Sequence, residues 1–84
     1  MTKQQFNEKY KSYIEDRFEG CSIPDEQFID FLDVSFKEII RQYPTFKFSQ
    51  LKSKFGQIRF YTNLTSEQET IYQKELNEFY QTLK

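Results

Sequence analysis

Residues 45–64, TFKFSQLKSKFGQIRFYTNL, decide the fold class. Phe46 and Phe48 alternate with Lys47, and Ile58 and Phe60 alternate with Arg59 and Tyr61. That period of two belongs to strands. Gly56 lies between the two runs and is the only glycine there able to bend the chain. The pattern predicts an antiparallel hairpin with Phe46, Phe48, Ile58 and Phe60 facing inward. Residues 49–55 stay open, because Phe48, Leu51 and Phe55 also fit a helical spacing. A bulge, a long turn or one turn of helix would each satisfy them.

Outside this ribbon the period changes. Phe6, Tyr10, Tyr13, Ile14 and Phe18 recur at helical spacing, and Thr2 with Gln5 forms a capping box. Gly20 is a natural stop, so the first helix is expected over about residues 3–19. Pro24 followed by Asp25 and Glu26 reads as a second helix start, and Pro44 ends that helix near Tyr43. Its core stripe is Phe28, Leu32, Phe36, Ile39, Ile40 and Tyr43. Thr65 with Gln68 and Ser66 with Glu69 make overlapping boxes before a third helix, expected to bury Ile71, Tyr72, Leu76, Phe79, Tyr80 and Leu83. The fold class is therefore α+β: three helices packed around a two-stranded antiparallel hairpin, in the order α-α-β-β-α. A hairpin alone is marginal in water, so helix packing has to hold it.

Eighty-four residues make one domain, residues 1–84, with room for one core and no separately walled active site. Histidine is absent, and Cys21 is the one cysteine. Those two facts remove His-based acid–base chemistry, the common zinc sites, the Ser-His and Cys-His nucleophile pairs and any intramolecular disulfide. No phosphate-binding glycine loop is present either, so no catalysis, cofactor or metal is expected. Cys21 reads as a buried, inert thiol. No run of eighteen apolar residues exists, and residues 1–5 lack an apolar signal core; a cytoplasmic setting is the expectation.

Charge is distributed unevenly. The ribbon holds four of the twelve cations (Lys47, Lys52, Lys54, Arg59), none of the thirteen acids and five aromatics. In the second helix Glu26, Asp30 and Asp33 line up at i, i+4 and i+7, while Phe31 and Val34 project to another side. A helix apolar beyond one arc is either central or carries a partner surface. Glu26, Asp30, Asp33, Phe31 and Val34 are accordingly the candidate partner-binding residues, the carboxylates steering toward a basic partner. A solvated acidic face is the plainer account of the same stripe. Lys52, Lys54, Arg59 and Tyr61 are candidates for nucleic-acid or partner contact, since cations beside aromatics suit phosphates and stacked bases. An isoelectric point near 5.4 argues against nucleic acid. The ribbon lysines could equally protect a sheet edge, with Arg59 paired to an acid of helix 2 or 3. Self-association through Phe31 and Val34 is also open.

Residues 52–61, KSKFGQIRFY, resemble the K-E-K-F-G-x-L-R-F-Y signature of a family of small, uncharacterised bacterial and phage proteins. The resemblance extends over about residues 21–62, taking in Gln50, Leu51 and the helix of Phe28 to Ile40. Family members commonly end in a Cys-x-x-Cys-Gly element, which residues 65–84 lack, so no metal role transfers. Ser53 stands where the family has an acid, which makes this version more basic. The resemblance implies no activity; its phage association points toward small regulatory or inhibitory proteins. The expected function is thus a protein-binding module, an inhibitor or regulator of a protein partner of immunity or phage-antagonist type. Nucleic-acid binding through residues 45–62 is the alternative.

Overall fold

A computed structural model describes residues 1–16, 18 and 20–83. The ribbon is a hairpin. Strand β2, Phe48–Lys54, runs antiparallel to β3, Gln57–Thr62. Residues 49–55 are therefore strand and turn, with a register shift between Phe48 and Gln50 supplying the bulge. The turn is Phe55-Gly56, with φ of +54° and +76°. Positive φ at both central residues is the type I′ pattern, whose twist matches that of the flanking strands.

The sheet is not two-stranded. Gly20–Cys21 forms a short strand β1 that lies parallel to β2, giving a mixed sheet in the order β1-β2-β3. The element order is α-β-α-β-β-α, which corrects the α-α-β-β-α expectation. The reason lies at the end of the first helix. Helix α1 spans Lys3–Lys9 rather than 3–19, and a 3-10 turn, Lys11–Tyr13, follows it. Beyond that, the unpaired edge of β2 outcompetes helical bonding. Ile14 turns extended and bridges Phe48, and Glu15 N–H donates to the Phe48 carbonyl at 2.9 Å. Residues 17 and 19 of the expected helix lie outside the described residues, and Phe18 is half exposed instead of buried. Gly20 does not stop a helix. A Cβ there would meet Asn7 Oδ1 at 2.7 Å and Ile14 Cδ1 at 2.9 Å, so glycine is what lets β1 pass beneath α1.

The capping box of Thr2 and Gln5 forms as expected, and Thr65 caps helix α3, Ser66–Thr82. Helix α2, Glu26–Gln42, is capped by Asp25 and buries Phe28, Ile29, Leu32, Phe36 and Ile39. Phe36 is the hub of the core, with ring centroids 4.9–5.8 Å from those of Phe6, Tyr10, Phe46, Phe48 and Phe60. These spacings suit edge-to-face aromatic packing. Helices α1 and α2 thus cover one face of the sheet. In α3 only Leu76 is buried; Tyr72, Phe79, Tyr80 and Leu83 pack partly against the core, and Ile71 is half exposed rather than inward.

What α3 does instead is seal the outer edge of β3. Every fourth residue of the helix reaches every second residue of the strand. Thr62 N–H donates to Glu69 Oε2 (3.2 Å), Phe60 N–H to Gln73 Oε1 (3.4 Å) and Ile58 N–H to Asn77 Oδ1 (2.6 Å). Gln81 Nε2 completes the series by donating to the Gly56 carbonyl (2.8 Å). The match is geometric: four helical residues rise about 6.0 Å and two strand residues about 6.8 Å. At the opposite edge Asn7 acts alike, accepting from Cys21 N–H (2.9 Å) and donating to the Cys21 carbonyl (2.8 Å). Amide side chains and the Glu69 carboxylate therefore occupy backbone groups that would otherwise invite another strand.

Candidate functional site

The inward residues of the hairpin go to the core, and strand alternation sends the others to the far face. Three cross-strand pairs build that face: Gln50 opposite Tyr61, Lys52 opposite Arg59, and Lys54 opposite Gln57. No described helix covers it. Lys54, Gln57 and Tyr61 are exposed, and Gln50, Lys52 and Arg59 are partly buried. The six side chains supply three cations, two amides and one phenol, and no acid.

The middle pair is the unusual one. Lys52 and Arg59 are like charges set directly opposite each other, an arrangement that costs about 0.2–1 kcal/mol relative to a neutral pair. Among the described residues neither makes an ion pair, so the acid of helix 2 or 3 expected beside Arg59 is not there. Lys54 likewise pairs with no carboxylate among these residues; its Nζ lies 5.6 Å from the centroid of the Phe55 ring. Lys47, the remaining ribbon cation, is tied to the fold by donating to the Ser12 carbonyl at 2.5 Å.

Phe55 caps this face. It is 91% exposed and sits in the left-handed region, where a side chain other than Gly, Asn or Asp costs roughly 1–2 kcal/mol. Exposed cation–π contact with Lys54 offsets only part of that, about 0.5–1 kcal/mol. With Gly56, Gln57, Lys74, Asn77, Glu78 and Gln81 the ring lines a shallow groove of about 560 Å³ on its α3 side, where Lys74 and Glu78 bring one charge of each sign. The sequence pattern left Phe55 undecided, because its spacing from Phe48 and Leu51 also fits one turn of helix. The available signal was the Phe-Gly pair between two alternating runs, the length of a two-residue hairpin loop.

The acidic stripe of α2 is arranged differently. Asp33, with a side chain 15% exposed, accepts from Lys9 Nζ (2.7 Å) and Tyr10 Oη (2.5 Å) and lies 3.4 Å from Lys37 Nζ. Burial pushes its carboxyl upward, but the Lys9 and Tyr10 hydrogen bonds outweigh this and hold it below the usual aspartate range. Burial, together with the same contact to Asp33, raises the Tyr10 phenol far above its ordinary value. Asp30 pairs with the Met1 amino group at 2.9 Å. Glu26 is exposed in the first turn of α2, at the favourable end of the dipole. Phe31 stacks on Phe79 of α3, with centroids 4.1 Å apart and planes 9° from parallel, so it joins two helices. Val34 is 65% exposed. The structure therefore does not bring these five residues together as one free surface.

Cys21 is buried, and burial raises its thiol. No group of three or more His, Cys, Asp or Glu side chains among the described residues is placed to hold a metal ion. No helix among them is long and apolar enough to cross a membrane. Comparison with protein-family models, with curated proteins and with solved structures gives no match.

Proposed function

We propose that this chain is a non-catalytic protein-binding module, a regulator or inhibitor, whose contact surface is the open sheet face and hairpin tip. The observation that carries the reading is the Lys52–Arg59 pair, a like-charge rung that the described part of the fold leaves uncompensated. Such a rung works against stability and gains its value only when carboxylates arrive. Arg59, Tyr61 and Phe55 add the residue types that anchor interfaces. The partner surface is therefore acidic, not basic. Within the α2 stripe Asp33 is taken up by Lys9 and Tyr10, which favours the sheet face over the stripe as the contact surface, although Asp30 and Glu26 remain exposed.

Nucleic acid is the second reading, favoured by Tyr61 beside Arg59 and Lys52 on an open sheet. The isoelectric point near 5.4 and the net charge of −1 argue against it, because affinity for nucleic acid is mostly electrostatic and its binding domains are usually basic overall. A folded partner needs only a local acidic patch, because screening confines charge effects to about 8–10 Å.

The test is affinity capture with the wild type and with a Lys52→Glu, Lys54→Glu, Arg59→Glu variant of demonstrated fold, followed by salt elution. A protein held by the wild type alone and released gradually by salt supports the proposal. Retention of that protein by the charge-reversed form contradicts it. Recovery of nucleic acid with steep salt dependence establishes the second reading.

A further inference from the structure

We infer that Phe55 is the anchor of this interface, its ring inserting between apolar side chains of an acidic protein surface while Lys52, Lys54 and Arg59 meet the surrounding carboxylates. This rests on the reading of the open face as a partner surface and says what the partner must look like there. Three observations carry it. The ring is 91% exposed, so the fold gains almost nothing from its apolar area. Its φ of +54° occupies a turn position that Asn would fill without strain. Backbone strain kept without a return in packing marks a position held for something outside the fold. The third is placement. Lys54 Nζ lies 5.6 Å from the ring centroid, and Lys52 and Arg59 form the next like-facing pair along the hairpin, so the apolar anchor and the cations share one end of the molecule. Gln81 fixes the turn from α3 through the Gly56 carbonyl, which presents Phe55 on a supported tip. An aromatic on a held turn loses little freedom on binding, and that favours it as an anchor. Charge complementarity then names the occupant as a protein surface that is apolar at its centre and acidic at its rim.

The experiment compares the full chain with Phe55→Asn by thermal unfolding and by amide-shift titration. The probes are a short amphipathic peptide with an apolar face bordered by glutamates, its apolar-to-serine counterpart, and oligothymidylate. Phe55→Asn is expected to raise the melting temperature, because it relieves the turn. The amphipathic peptide is expected to shift the amides of residues 52–61 and to bind the variant about tenfold more weakly. The serine peptide should bind both forms equally and weakly. Equal affinity of the amphipathic peptide for both forms overturns the anchor while leaving the basic face as a partner surface. Failure of both peptides to move residues 52–61 overturns the anchor and the partner surface together. A lower melting temperature for Phe55→Asn shows that the ring serves the fold and overturns the anchor. Tighter binding of oligothymidylate, or a concentration-dependent dimer through the tip, assigns Phe55 to a different occupant and overturns it as well.

Discussion

Asp30 and Asp33 on α2 each meet a cation from elsewhere in the chain, whereas Lys52 and Arg59 on the sheet meet each other. Both sets looked like charged surfaces at regular spacing in the sequence. Folding uses Asp33 to dock α1 on α2 and leaves Lys52 and Arg59 on a sheet face whose cross-strand pairs include no acid. The contrast separates charges that stabilise the molecule from charges that cost it stability. An 84-residue domain has about 4–13 kcal/mol of stability in total. The strained Phe55 turn and the like-charge rung together cost about 1–3 kcal/mol of that.

Four changes sharpen the comparison, and the largest removes what both regions share. Phe36→Ala opens the aromatic hub beneath the sheet and should cost about 3–5 kcal/mol in denaturant unfolding. Next comes Asn77→Ala, which strips Ile58 N–H of its acceptor at the β3 edge. A loss of about 1–3 kcal/mol is expected, and light scattering should report self-association through the opened edge.

Asp33→Asn tests the acidic side directly. It weakens the Lys9 and Tyr10 contacts and should lower stability by about 1–2 kcal/mol at neutral pH. The pH dependence follows from the sign of the shift. The Asp33 carboxyl is depressed in the folded state, so its contribution is present above the ordinary aspartate value, near 3.9, and is lost as pH falls through the folded value. Wild type should therefore lose stability more steeply than Asp33→Asn in acid titrations monitored by circular dichroism. Tyr10 is raised, so its contribution is present below about pH 10 and fades above it.

The hairpin was legible because its alternation and its turn glycine are local signals, and the starts of α2 and α3 were legible because capping is local too, with Pro44 marking the end of α2. The stop at Lys9 was not. The stripe Phe6, Tyr10, Tyr13 and Ile14 is a sound helical pattern, and only the open edge of β2, brought near by tertiary folding, pulls Ile14 out of it. The edge-sealing series Glu69, Gln73, Asn77 and Gln81 was not read from the sequence, where Glu69 figured only as a capping partner of Ser66, since nothing in the sequence places β3 alongside the helix. At the site, Lys52, Lys54, Arg59 and Tyr61 were identified from composition. Their facing pairs, and the exposure of Phe55, required the register.

The smallest effect is the most direct test: a double-mutant cycle on Lys52→Glu and Arg59→Glu, read by thermal unfolding at low salt. Each single change replaces repulsion with an opposite-charge pair and should raise stability by about 0.2–1 kcal/mol, while the double change restores repulsion and falls back toward the wild type. Single variants that melt below the wild type would show that the fold itself uses these cations, and would contradict the view that the open face is kept for a partner.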